Sequence, residues 1–137
     1  MNGARQAYRW VVFLFVLLVV VQFFLAGLGV FGDQGKTGSD YDPHRAVGDL
    51  LSLLSLILLI LAAVGRLGRP LLPMTAGLFG LMIVQNLLAG FGEDTQVVGA
   101  FHVLNALLIV GLVFHLFQAV RDGVPEPAAA GGPPSTI

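Results

Sequence analysis

The residues able to do chemistry in this chain are few, and most of them lie in apolar surroundings. Gln22, His44, Asp49, Gln85, Asn86, His102 and Asn105 all interrupt otherwise hydrophobic stretches. A neutral imidazole offers one lone pair and one N–H, so a histidine held in place can ligate a metal or relay a proton. Two imidazoles facing each other inside a helix bundle are the usual frame for a six-coordinate b-type haem. His44 and His102 are the pair placed to do this, with His44, His102, Arg45, Gly48, Asn105 and Ala106 as the cofactor-binding set. The chain has no cysteine, which removes disulfides, thiolate metal sites, thiol nucleophiles and covalent c-type haem. Three histidines on two segments, with Asp49 the one carboxylate among them, make a poor zinc site. No nucleophile, acid–base pair or metal box suited to hydrolysis is present, which leaves the question of an enzyme open and tilts it against one.

These residues must be positioned by membrane helices. The chain is 56% hydrophobic and 11% charged, with a mean hydropathy of +0.88, whereas soluble domains carry about 25% charged residues. A net charge of −1 gives no reason to expect a nucleic-acid partner. Spans of about 20 apolar residues cross a bilayer. Four are present, at residues 10–31, 46–64, 71–91 and 97–120. The first is too long for a signal-peptide core and reads as a retained helix. Arg5, Arg9, Arg66, Arg69 and Arg121 fall on one side of a four-span arrangement. Lys36 and Arg45 fall on the other, among Asp33, Asp40, Asp42, Glu93 and Asp94. Cytoplasmic loops collect Lys and Arg, so both termini are expected in the cytoplasm of a multi-pass plasma-membrane protein. Residues 1–122 form the expected membrane domain. The Pro-, Ala- and Gly-rich stretch 123–137 is expected to be a disordered cytoplasmic tail.

The spans are not independent of one another. Val21–Gly29 (VQFFLAGLG) recurs as Val84–Gly92 (VQNLLAGFG), identical at six of nine positions and offset by 63 residues. His44 and His102, offset by 58, follow at the starts of the next spans. The expected fold is therefore all-α, a polytopic four-helix bundle made of two tandem helical hairpins. Copies running in the same direction are related by an axis along the membrane normal. That axis would set the two histidines opposite each other, at similar depth near the outer boundary.

Local spacing adds detail. His44, Gly48, Ser52 and Ser55 share one helix stripe, whose small residues would leave room for a flat macrocycle or simply allow close helix packing. Ala106 stands one turn after His102, and Asn105 beside it could orient a ligand or a propionate. Arg45 is placed to neutralise a propionate and to pair with Asp49 one turn on. Asp42-Pro43 reads as an N-cap followed by Pro at the first helical position. Gln22 and Gln85 are expected to bond each other across the axis. His115, thirteen residues after His102, falls on another face and reads as interfacial.

Asp42-Pro-His-Arg45, together with Val84-Gln-x-x-Leu-Ala-Gly90 and His102-x-x-Asn-Ala106, resembles one four-helix half of haem A synthase. Over residues 8–121 the chain is also similar to small uncharacterised four-helix bacterial membrane proteins. The resemblance implies His44 and His102 as axial ligands and Arg45 as a propionate contact. Only one bundle is present, the cysteine pair of some members is absent and Asp40 is a loose counterpart of their acidic residue. Synthase activity is thus not carried over. Three functions follow as expectations. The first is binding of one haem b between helices two and four, for electron transfer, redox sensing or haem handling. The second is a haem-free accessory or assembly subunit, and the third a small transporter, for which the cytoplasmic half offers only His115 and Gln118. Beyond the lipid bilayer, a homodimer or a larger membrane complex are the partners considered.

Overall fold

A computed structural model describes residues 2–32, 41–68, 71–92 and 95–124. The expected loop residues 33–40, the turn positions Arg69, Pro70, Glu93 and Asp94, and the tail from Pro125 lie outside these. Four helices account for almost all of the described chain: α1 (Asn2–Phe31), α2 (Asp42–Val64), α3 (Leu71–Gly92) and α4 (Gln96–Val120). Each is long and apolar enough to cross a membrane. Their most apolar windows are only 11% to 28% buried, and Phe24, Phe31, Val97 and Leu108 stand exposed. Such a surface is unstable in water and is the normal outside of a bundle solvated by lipid.

Consecutive helices pack as neighbours and α1 closes the ring against α4, the up-down-up-down arrangement that short connections produce. α1 and α3 therefore face each other across the axis, as do α2 and α4. The fully buried core lies towards one end, among Tyr8, Val12, Phe15, Leu58, Leu78, Leu116 and Val120. It leaves no room for a water molecule between Val12, Phe15, Leu58, Leu78, Val113 and Leu116. Tyr8 donates across this end to Thr75 Oγ1 at 2.6 Å, while Thr75 donates to Leu71 O at 2.8 Å.

α1 begins at Asn2, ahead of the span expected from residue 10, because two of its polar residues are used by the fold. Arg5 Nε donates to Gly65 O at 3.1 Å and Arg9 Nη2 donates to Arg121 O at 2.6 Å. Those carbonyls belong to the last turns of α2 and α4, where acceptors lack intrahelical partners and cations are favoured. Arg9 also lies over Trp10 and Phe13. This arginine end contains a second device. Leu67 N donates to Ala62 O at 2.9 Å and Arg66 N to Ala63 O at 3.1 Å, with Arg66 at φ 49°. That is a Schellman motif with an arginine in the left-handed position that glycine usually takes.

At the other end, the N-cap of α2 is Tyr41 rather than Asp42, and it makes no side-chain capping bond. Asp42 instead lies within the first turn, where its charge suits the helix dipole, and Pro43 follows.

Candidate functional site

The end opposite the arginines is held together by polar groups rather than by a closed apolar core. α1 contributes no fully buried side chain after Phe15. The four helices instead present Gln22, His44, Gln85 and His102, all partly buried. His44 on α2 and His102 on α4 meet across the bundle axis, with ring centroids 6.4 Å apart and planes inclined by 64°. The expected juxtaposition of the two histidines is thus present.

The partners of the two rings repeat from hairpin to hairpin. His44 Nδ1 lies 3.2 Å from Gln22 O, and His102 Nδ1 lies 3.2 Å from Gln85 O. A carbonyl can only accept, so both rings carry their proton on Nδ1. Each Nε2 then accepts from the side-chain amide of the same glutamine, at 3.3 Å from Gln22 Nε2 and 3.1 Å from Gln85 Nε2. Both imidazoles are neutral in this arrangement. The two glutamines do not bond each other as expected from sequence. Each lies at the depth of its own hairpin's histidine, so its side-chain NH2 and its backbone carbonyl are engaged within the hairpin before the axis is reached.

The environment of the pair is not fully symmetric. Asn105 Nδ2 donates to Gln85 Oε1 at 2.7 Å and to Leu81 O at 3.0 Å. Asn105 therefore holds the second hairpin's glutamine. Its counterpart in the first hairpin, 58 residues earlier, is Val47. Gln22 Nε2 donates to His44 O at 2.8 Å, and Gln22 Oε1 is buried without a partner.

The small stripe on α2 serves helix packing here. A Cβ on Gly48 would stand 3.3 Å from Gln22 Nε2. Ser52 Oγ donates to Gly48 O and accepts from Asn86 Nδ2, each at 3.0 Å. Ser55, wholly buried, donates to Ser52 O at 2.7 Å. Arg45 and Asp49 are both exposed, and the ion pair expected between them is not among those of the described residues. Ala106 is partly buried one turn below His102, and His115 is exposed near the arginine end. Glycines set the approach of the helices above the pair. A Cβ on Gly92 would lie 2.8 Å from Gly99 Cα, and one on Gly29 would meet the Tyr41 ring.

The donor set can be tested against a haem iron. A ligating histidine normally donates its second N–H to a carbonyl or carboxylate, which fixes the ring and frees the other nitrogen. Both rings do this through Nδ1. Two imidazoles sharing one metal at about 2 Å per bond hold their centroids roughly 6 Å apart, close to the observed 6.4 Å. The spacing and the Nδ1 anchoring are those that two ligands of one metal would need. What occupies the Nε2 lone pairs is the pair of glutamine amides. Sequence reading missed Gln22 and Gln85 as the partners of the histidines. The signal was available: each glutamine precedes the last glycine of the repeated segment, Gly29 or Gly92, by seven residues, which is two turns of helix.

Fold and site together define a multi-pass membrane four-helix protein whose hairpins each fix one imidazole on the bundle axis. Residues 22–93, just over half of the chain, match a family profile described as a family of unknown function, DUF6220. The chain belongs to that family. The matched stretch includes Gln22, His44 and Gln85 and ends before α4. No curated protein and no solved structure matches the chain.

Proposed function

We propose that this protein is a bis-histidine cytochrome b-like membrane protein, with His44 and His102 as the axial ligands of one haem b. The observation that carries the reading is the paired geometry at the bundle axis, in which each ring is anchored through Nδ1–H to a glutamine carbonyl. Bound there, haem would supply one-electron exchange for electron transfer, redox sensing or haem handling. The protein's own contribution is orientation. Gln22 and Gln85 hold the rings in the Nδ1–H tautomer, and the two Nε2 atoms, now facing glutamine amides, are the ones that would hold the iron. Gly48 and Ala106 keep bulk away one turn below each ring, and Arg45, exposed beside His44, suits a propionate. By the distribution of arginines the tight core end is cytoplasmic, as are both termini, and the histidines lie towards the outer face of the plasma membrane.

A second reading has its own support. Both Nε2 lone pairs are already satisfied by glutamine amides, so the same network serves a haem-free accessory subunit as interhelical glue. Reduced-minus-oxidised visible spectra of the purified protein separate the two. Haem binding gives a b-type difference spectrum that His44→Ala and His102→Ala both alter. A colourless parent after expression with ample haem refutes the first reading, and a stoichiometric membrane partner on purification would favour the second.

A further inference from the structure

We infer that the two arms of the histidine pair are unequal: His102 is the fixed arm and His44 the exchangeable one. Three features of the structure point the same way. The first is the break in the repeat. Asn105 clamps Gln85 Oε1 at 2.7 Å, whereas Val47 stands in the equivalent place and leaves Gln22 Oε1 buried without a partner. An unpaired acceptor of this kind destabilises the arrangement that buries it, and Gln22 is the residue that positions His44. The second is the aim of the amides. Gln85 Nε2 approaches its histidine ring at 3.1 Å, while Gln22 Nε2 sits at 3.3 Å from the ring and bonds the backbone His44 O at 2.8 Å. The third is position along the helix. His44 lies in the first turn of α2, which starts at Asp42. His102 lies well inside α4, which starts at Gln96. Terminal turns open at low free-energy cost and interior turns do not.

In the unloaded protein this asymmetry makes the His44 ring the one that swings out. Where the haem reading holds, on which this second consequence rests, it names the regulated position. His44 would be the ligand that yields to a small neutral molecule, and His102 the one that would hold the group.

The test reads both states. The full-length protein in detergent micelles is treated with diethyl pyrocarbonate, which acylates neutral imidazole nitrogen, and modification of each histidine is followed by mass spectrometry. The exposed His115 serves as reference. His44 should react about fivefold faster than His102, the ratio that one ordinary hydrogen bond supports. Val47→Asn supplies the missing donor and should bring His44 close to the His102 rate. Asn105→Val removes the clamp and should raise His102 towards the His44 rate. Equal rates in the parent, or faster reaction at His102, overturn the inference. In the haem-loaded protein, carbon monoxide should bind after reduction, His44→Ala should retain haem in a five-coordinate form and His102→Ala should lose it. A haem-loaded parent that loses haem equally in both variants also overturns it. A colourless parent refutes the haem reading alone and leaves the acylation rates as the test.

Discussion

Gly92→Ala gives a demanding check on how the histidine end is assembled. The added Cβ would lie 2.8 Å from Gly99 Cα and 3.0 Å from Gly99 N, both backbone atoms. Carbon atoms rest comfortably at about 3.5–4.0 Å, so α3 and α4 must part by about 1 Å at this crossing. Two turns below, His102 Nδ1 is 3.2 Å from Gln85 O, and a fraction of that displacement carries it past hydrogen-bonding distance. Overpacking of this kind costs about 1–3 kcal/mol, and alanine's better helix propensity returns about 0.5–1 kcal/mol. The expected net loss is about 0–2.5 kcal/mol. Two related positions act as controls. Gly90→Ala meets nothing within 4 Å and should be neutral or slightly stabilising. Gly29→Ala, the counterpart of Gly92 in the first hairpin, meets the Tyr41 ring, a side chain that can turn aside, so its cost should fall between the other two. Thermal unfolding in micelles followed by circular dichroism ranks the three. A Gly92→Ala protein as stable as Gly90→Ala would show that the Gly92–Gly99 approach does not hold α3 against α4.

Two further predictions concern the arginine end. Arg66→Gly relieves the left-handed strain of a non-glycine residue at φ 49°. It should raise stability by about 0.5–1 kcal/mol, whereas Arg66→Ala removes the same charge without relieving the backbone and should give no gain. Unfolding midpoints of the two variants distinguish backbone strain from charge. Tyr8→Phe deletes the 2.6 Å bond across the axis but leaves Thr75 donating to Leu71 O. It should cost about 0.5–1.5 kcal/mol, read by the same method, and leave the histidine acylation rates unchanged.

Much of this architecture is legible in the sequence because the bilayer imposes long apolar runs that nothing else explains. The ends of α3 and α4 fall within a residue of expectation for that reason. α1 is longer than its apolar run because Arg5 and Arg9 find carbonyl partners 60 and 112 residues away, and no local pattern encodes those. The repeat located the histidine pair, since a duplicated hairpin places equivalent residues at equivalent depths. It misled over the glutamines. Symmetry offers both an intra-hairpin and a cross-axis partner, and only the helix separation decides between them. The Val47 and Asn105 difference was visible in the aligned repeats, but its meaning depends on which atom of Gln22 is left without a donor.

The two capping arginines also differ in when their partners exist. Arg5 bonds Gly65, within the first hairpin, so its carbonyl arrives as soon as α2 is complete. Arg9 bonds Arg121, which is made after every helix has been synthesised. Through biogenesis, then, one arginine staples the early hairpin while the other stays uncommitted at the membrane surface. Its engagement marks the docking of the last helix against the first, and a chain truncated within α4 would lack that final latch.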